Sequence, residues 1–91
     1  MPKTILVIED EEPIQSVLKA FLVDAGYTVL LVGDGAEGLE KFHQHRPDLV
    51  LLDVLLPGID GFAVCKTLRQ ESRIPIIMLT ALDDDASQIK G

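Results

Sequence analysis

The sequence predicts an α/β fold in which helices cover both faces of a parallel β-sheet. Three short apolar runs rich in β-branched residues occupy positions 5–8, 49–52 and 76–79. Runs of this length are typical of buried parallel strands, which carry apolar residues on both faces. The stretches between them have apolar residues at three- and four-residue steps, which indicates helices. Strands that alternate with helices in this way favour a layered α/β architecture.

Each of these runs stops at a residue that can take part in phosphate chemistry. The first run is followed by Glu9 and Asp10, the second by Asp53 and the third by Thr80. In a parallel α/β sheet all strand carboxyl ends open on one edge, where ligands bind. We therefore expect these four side chains to converge in one cleft.

The composition limits the possible classes of protein. The 91 residues suffice for one small domain. With 47% hydrophobic residues the chain can form a core, although its length is near the size at which a hydrophobic core is only just sufficient for stability. The net charge of −7 argues against direct binding of a nucleic-acid backbone by this segment. The single cysteine, Cys65, excludes an internal disulfide and fits a reducing compartment. Because we find neither a signal peptide nor an apolar run of membrane-spanning length, we expect a cytoplasmic segment without membrane contact.

The first part of the chain predicts a strand, a helix and a second strand. Strand one covers residues 4–8. Pro13 suits the first turn of the helix, because its missing N–H would be unpaired there, and Gly26 suits the C′ position. Strand two covers residues 27–32. The apolar spacing predicts the inward face of helix one to consist of Ile14, Val17, Leu18, Phe21 and Leu22.

A second helix is predicted between strands two and three. Asp34 has the character of an N-cap residue, with Glu37 as its capping-box partner three residues later. Leu39 and Phe42 are expected to face the core. The helix should end before Pro47.

The remaining segments complete a βαβαβαβα order. Strand three covers residues 49–53, and a loop at residues 55–60 leads to Asp60, which suits the N-cap of helix three. Strand four covers residues 76–80, and the acidic residues 83–85 favour the start of a fourth helix through charge–dipole attraction. The inner face of helix three is predicted to consist of Phe62, Cys65 and Leu68.

Carboxylates at adjoining strand ends predict a cation site. Glu9, Asp10 and Asp53 would repel one another, and one would stay protonated unless a cation joined them. Hard oxygen ligands of this kind suit Mg²⁺, which also accepts oxygens from phosphate. An Asp beside such a cation can attack a phosphoryl group, and a hydroxyl such as that of Thr80 can bind a phosphoryl oxygen. For Glu11, which follows the pair, a solvated helix start remains the plainer interpretation.

Three motifs resemble the receiver domains of bacterial response regulators. The segment LLDVLLPGIDG at positions 51–61 resembles their phosphoacceptor signature. Glu9 and Asp10 resemble their acidic pair, and PIIMLTA at positions 75–81 resembles their fourth strand with its switch hydroxyl. The resemblance covers essentially the whole chain, in register. It implies a flavodoxin-like α/β/α fold with strand order 2-1-3-4.

The resemblance also implies a set of site residues. Asp53 would be the phosphoacceptor and a ligand of Mg²⁺. Asp10 would bind the metal directly and Glu9 through water, and the backbone carbonyl of Leu55 would complete the protein ligands. The hydroxyl of Thr80 would contact the phosphoryl group and report its presence. The small side chain of Ala81 would leave room for that group.

The sequence departs from the family pattern at its carboxyl end. Family members have a fifth strand ending in a lysine that pairs with the phosphoryl group, an aromatic switch residue on that strand, and a fifth helix. This sequence stops before all three, so the catalytic lysine is missing, and Lys90 belongs to the predicted helix four. Strand four would then be a sheet edge, and we expect homo-oligomers or domain-swapped species.

Two functions of different classes remain open. The first is a phosphoacceptor receiver of a two-component system, not a turnover enzyme, which takes a phosphoryl group from a histidine kinase or phosphotransfer protein. It would switch an output that is often a DNA-binding effector domain. The second is a receiver fragment that cannot be usefully phosphorylated and acts as a structural or oligomerising module. A phosphohydrolase of the haloacid dehalogenase type is disfavoured, because those enzymes carry a second Asp where this chain has Leu55.

Overall fold

The computed structural model describes residues 2–53 and 61–79 of the chain. These residues form four strands and three helices in alternation, as predicted. The elements are β1 (Thr4–Ile8), α1 (Glu12–Asp24), β2 (Thr28–Val32), α2 (Gly35–His45), β3 (Leu49–Asp53), α3 (Gly61–Glu71) and β4 (Ile76–Leu79). Strands one and three have the predicted bounds, whereas β2 begins one residue later than predicted, at Thr28 instead of Tyr27.

All strand pairs in the described sheet are parallel, and the strand order is β2-β1-β3-β4. The order that the resemblance implied is therefore confirmed. In the register, Ile8 is the partner of Val32 on one side and of Leu52 on the other. The carboxyl ends of β1 and β3 consequently lie side by side, which fixes the position of the residues that follow them.

Helices cover the sheet unequally on its two faces. The larger core lies between the sheet and the helices α2 and α3, and its fully buried members are Leu6, Ile8, Val32, Phe42, Val50, Leu52, Val64 and Leu68. The smaller core lies under α1, which contributes Leu18 and Leu22. Its buried members are the strand residues Ile5, Val7 and Leu51. The alternation of side chains along each strand sends one set to each face.

The helix ends follow the chemistry predicted from the sequence. Gly26 lies just past the end of α1 with φ = +99°, and its N–H donates to the carbonyl of Val23 while that of Tyr27 donates to Leu22. This pair of bonds is a Schellman motif, for which Gly is the favoured residue. Asp34 is the N-cap of α2, where its Oδ1 accepts a hydrogen bond from the Glu37 N–H at 2.8 Å. Both predicted helix boundaries are confirmed.

The predicted inward face of α1 was wrong in part. Leu18 and Leu22 pack against the sheet, but Ile14, Val17 and Phe21 are exposed, and Phe21 retains 69% of its accessible surface. Of the predicted face, only the side with Leu18 and Leu22 is covered by the part of the chain that the structure describes.

The predicted face of α3 also needs a correction. Leu68 is buried and Cys65 packs against the core, as expected, but Phe62 is 64% exposed. The buried positions are Gly61, Val64 and Leu68, which recur at three- and four-residue steps. Phe62 follows Gly61 by one residue and so points about 100° away from this stripe.

Several predictions lie outside the described residues. They concern the loop at 55–60 with its cap Asp60, the end of strand four at Thr80, and the fourth helix with residues 83–85. No helix within residues 2–53 and 61–79 combines the length and the apolar character that crossing a membrane requires.

Candidate functional site

The acidic residues predicted from strand ends come together in the structure. Glu9 and Asp10 directly follow β1, and Asp53 is the last residue of the adjacent β3. Carboxylate oxygens of these three residues lie within 4.8 Å of one another. Asp53 is also the register partner of Leu79 on β4, the residue that precedes Thr80 in the sequence. The carboxyl ends of β1 and β3 therefore bring three acidic groups together.

The three carboxyl groups differ in their exposure to water. Glu9 is 2% exposed, Asp53 is half-buried and Asp10 is exposed. Exposure to water therefore increases in the order Glu9, Asp53, Asp10. Asp53 therefore remains accessible from solvent, while Glu9 is held within the protein.

Hydrogen bonds fix the short connection between β1 and α1. The Glu9 N–H donates to the carbonyl of Val32 on β2 at 3.1 Å, so the sheet pairing extends one residue past β1. The Glu11 N–H donates to Oε2 of Glu9 at 3.0 Å, which orients that carboxyl group. Gln15 is the fourth residue of α1, and its Nε2 donates to the main-chain carbonyls of Glu9 and Val32.

The carboxyl group of Glu9 has an unusual affinity for a proton. Its pKa is raised from the usual 4.5 to about 7, chiefly by burial. The nearby charges of Asp53 and Asp10 and a hydrogen bond with the Asp53 side chain contribute to this rise, whereas the hydrogen bond from the Glu11 N–H opposes it. A buried acid beside two others is costly to ionise unless a positive charge joins the group.

The donor set fits a hard divalent cation. The three carboxylates supply oxygen atoms from separate residues at short mutual distances, and the exposed position of Asp10 leaves room for water on the open side. Mg²⁺ is bound in this manner, with few carboxylates and several retained waters. Exposed acidic groups also cluster without a metal, but here the most buried member, Glu9, is the one that a cation would relieve.

Three other predicted site residues, Leu55, Thr80 and Ala81, lie outside the described residues. Sequence reasoning did not identify Gln15, whose amide reaches the strand ends. It also assigned no role to His43, whose Nε2 contacts the Glu71 carboxylate and so connects α2 to α3 at the surface. Neither contact is marked by a sequence motif, because each depends on how a helix is rotated about its axis relative to its neighbours.

Comparison with known families gives a match over almost the whole chain. The family described as the response regulator receiver domain matches residues 5–91. A curated relative, the probable transcriptional regulator ycf27 of Cyanophora paradoxa, is 51% identical over 89 residues. The match covers 98% of this chain but 37% of that protein, so the chain spans about a third of the length of the curated relatives.

Solved structures show the same fold. A putative response regulator from Chloroflexus aurantiacus is 39% identical, with a TM-score of 0.90 over all of this chain and 77% of the other. The receiver domain of the sensor histidine kinase PA1611 from Pseudomonas aeruginosa, solved with magnesium in its active site cleft, is 36% identical, with a TM-score of 0.85 over 96% and 75%. The complex of histidine kinase ThkA with response regulator TrrA contains a chain that is 41% identical, with a TM-score of 0.81 over 87% and 69%.

Proposed function

Because this chain belongs to the family of response regulator receiver domains, the phosphoacceptor domains of two-component signalling, we propose that Asp53 is its phosphorylated residue. The observation that supports this assignment is the convergence of Glu9, Asp10 and Asp53 at one sheet edge, with oxygens within 4.8 Å. Asp53 is the half-buried member, which keeps it within reach of a donor. Its position in the segment at 51–61 agrees with the phosphoacceptor signature.

The proposed reaction is a phosphoryl transfer between side chains. A carboxylate oxygen of Asp53 attacks the phosphorus of a phosphohistidine on a histidine kinase or phosphotransfer protein. The new P–O bond gives an aspartyl phosphate, the P–N bond breaks, and the electron pair returns to the histidine nitrogen. Asp53 is consumed as an acceptor and is not turned over, so the segment is proposed to be a signalling acceptor and not a classical enzyme.

The proposed cofactor is Mg²⁺, held by Asp10 and Asp53, with Glu9 behind them and the main-chain carbonyl of Leu55 as a further ligand. When bound, Mg²⁺ supplies positive charge that offsets the negative charge of the phosphoryl oxygens. The protein's own residues orient the proposed ligands. Glu9 is fixed by the Glu11 N–H, and Asp10 faces solvent. A relative solved with magnesium in its active site cleft supports the assignment.

The switch and the partners are proposed from the family. Thr80 would contact the phosphoryl group of phosphorylated Asp53, with Ala81 leaving space beside it. A histidine kinase is the expected donor, in line with the complex of ThkA and TrrA. Since the chain spans about a third of relatives described as transcriptional regulators, we propose that a longer parent carries a DNA-binding effector and acts in the cytoplasm. The family match favours this function over a purely structural module.

Mass spectrometry after incubation with acetyl phosphate and Mg²⁺ tests the acceptor. We expect the mass of one added phosphoryl group, located on Asp53 by peptide mapping and absent from Asp53→Asn. Asp24→Asn is a matched control, because it removes an exposed carboxylate from α1. Labelling of Asp53→Asn at the wild-type rate would refute the proposed acceptor.

Titration with Mg²⁺ tests the metal ligands separately. Asp10→Asn and Asp53→Asn should each weaken binding by more than about tenfold, the lower range for residues that support a metal site. Both changes should also raise the melting temperature of the metal-free protein, because they remove charge repulsion. Asp24→Asn should leave the Mg²⁺ affinity unchanged. Equal Mg²⁺ affinities in all four proteins would show that the cation binds elsewhere.

A further inference from the structure

The side chain of Gln15 connects α1 to the ends of two strands. Its Nε2 lies 2.5 Å from the carbonyl oxygen of Glu9 and 3.3 Å from that of Val32. The side chain is half-buried, and its amide supplies two N–H donors to two carbonyl acceptors. The Val32 carbonyl already accepts the Glu9 N–H, so the three groups form one small network.

The start of α1 lacks a side-chain cap. Its N-cap residue, Glu11, makes no side-chain capping hydrogen bond, and the connection from β1 is otherwise restrained by the Glu9 and Glu11 N–H groups. A helix that begins without a side-chain cap leaves its entry loop less firmly fixed. The Gln15 amide restrains this loop from the helix side.

The carbonyl that Gln15 holds belongs to the peptide unit between Glu9 and Asp10. A peptide unit is planar, so fixing its oxygen fixes the orientation of the plane. The side chains of Glu9 and Asp10 leave from the two Cα atoms of that plane. The direction in which each carboxylate enters the site therefore depends in part on a hydrogen bond made by neither carboxylate, in addition to the Glu11 N–H that orients the Glu9 carboxyl group.

We propose that Gln15 is a positioning residue that makes the acidic cluster selective for a small octahedral cation, Mg²⁺ over Ca²⁺. This inference rests on the proposed function above, since it assumes a divalent cation at Glu9, Asp10 and Asp53. Mg²⁺ requires near-ideal octahedral ligands at about 2.1 Å, whereas Ca²⁺ accepts six to eight ligands at longer and more variable distances. Loss of the restraint should therefore weaken Mg²⁺ binding more than Ca²⁺ binding.

The test compares the ratio of Mg²⁺ and Ca²⁺ affinities in single variants of the chain, each ion titrated alone. Gln15→Met keeps the length of the side chain and removes both donors. Gln15→Arg restores N–H donors for the two carbonyls. Its added positive charge affects Mg²⁺ and Ca²⁺ alike, so the ratio of the two affinities remains interpretable. Gln70→Met, an exposed change on α3, is the matched control.

We expect Gln15→Met to lower the Mg²⁺ affinity by about tenfold, the range found when outer ligands of a metal site are lost. The Ca²⁺ affinity should fall by less than about twofold, because Ca²⁺ tolerates irregular ligand geometry. Gln15→Arg and Gln70→Met should keep the wild-type ratio. A merely structural role would weaken both ions equally, so an unchanged ratio in Gln15→Met overturns the inference, as does an Arg variant that behaves like Met.

Three further outcomes are distinguishable. If Gln15→Met does not fold, Gln15→Asn provides the same comparison, because it draws the amide back by one carbon and should shift the ratio in the same direction. If the wild-type chain binds no Mg²⁺, the proposed metal site fails and the role of Gln15 fails with it. If the wild type binds Mg²⁺ and the ratio never changes, only the role of Gln15 is refuted.

Discussion

The protonation of Glu9 affects both the stability of the fold and the proposed binding of Mg²⁺. Its carboxyl group is buried and has a pKa of about 7, against 4.5 in its usual environment. Between these two pH values the folded protein binds more protons than the unfolded chain, so the free energy of unfolding falls as the pH rises. The contribution of Glu9 protonation to the free energy of unfolding is fully present below pH 4.5 and is lost above about pH 7. A shift of this size corresponds to roughly 3 kcal/mol.

We therefore predict that the metal-free chain loses stability between pH 4.5 and 7 relative to Glu9→Gln, in which this position cannot ionise. Urea unfolding at a series of pH values measures the difference. Glu12→Gln, an exposed change at the start of α1, should follow the wild-type curve. Parallel curves for wild type and Glu9→Gln would contradict the raised pKa.

The same proton should compete with a bound cation. Because a carboxylate must be ionised to act as a ligand, Mg²⁺ binding should release protons from this cluster. We predict that the Mg²⁺ affinity of the wild type falls as the pH is lowered from 8 to 6, and that calorimetry in buffers of different ionisation enthalpy detects the released proton. A pH-independent affinity with no proton release would mean that Glu9 takes no part.

At the residue scale the sequence predicted which carboxylates come together better than it predicted their environments. Glu9, Asp10 and Asp53 could be named because residues after parallel strands must share one edge. The differences in their exposure to water could not be predicted, since these depend on how the chain turns after Ile8. The bonds of Gln15 were also beyond the sequence, because they require the rotation of α1 relative to two strand ends.

Helix α2 packs closely against the sheet at Gly38. A Cβ atom at this position would lie 2.5 Å from Cδ1 and 2.9 Å from Cγ1 of Ile8, the last residue of β1. Ile8 directly precedes Glu9, so the close approach of α2 also limits movement beneath the acidic cluster. A glycine in a helix interior costs about 1 kcal/mol relative to Ala, and here close packing explains its presence.

We predict that Gly38→Ala destabilises the chain by about 1 kcal/mol or more, because an overpacked core costs about 1–3 kcal/mol and exceeds the gain in helix propensity. Gly33→Ala is the matched control, since a Cβ there would meet no atom within 4 Å. Thermal unfolding should show a drop of several degrees for Gly38→Ala alone. Equal melting temperatures for the two variants would show that Ile8 moves aside at little cost.

The elements themselves were largely predictable, whereas the faces of the helices were not. Strand bounds and helix caps follow local rules, as the Schellman motif at Gly26 and the cap at Asp34 illustrate. Which side of an apolar stripe is covered depends on neighbouring elements. The prediction for Phe62 was wrong because the buried stripe of α3 runs through Gly61 and Val64. The prediction for Phe21 was wrong because none of the described residues covers the adjacent surface of α1.

On the scale of the whole molecule the two faces of the sheet differ in cover. Helices α2 and α3 protect one face, while α1 alone lies on the other among the described elements. On that second face, Ile77 of β4 is 49% exposed, and α1 presents Val17 and Phe21 to solvent. Burying such surface contributes about 2.5 kcal/mol for each 100 Å² before the costs of association.

We therefore predict that the 91-residue polypeptide, prepared on its own, self-associates through the α1 face. Closed two-fold pairing, or exchange of an element between two chains, would cover this surface symmetrically. Phe21→Lys should shift the population towards monomer in sedimentation velocity. Phe62→Lys is the matched control, because it adds the same charge at an exposed aromatic residue of α3, on the opposite face of the sheet. A compact wild-type monomer at high micromolar concentration, or equal dissociation by both variants, would show that the exposed side of α1 does not drive association.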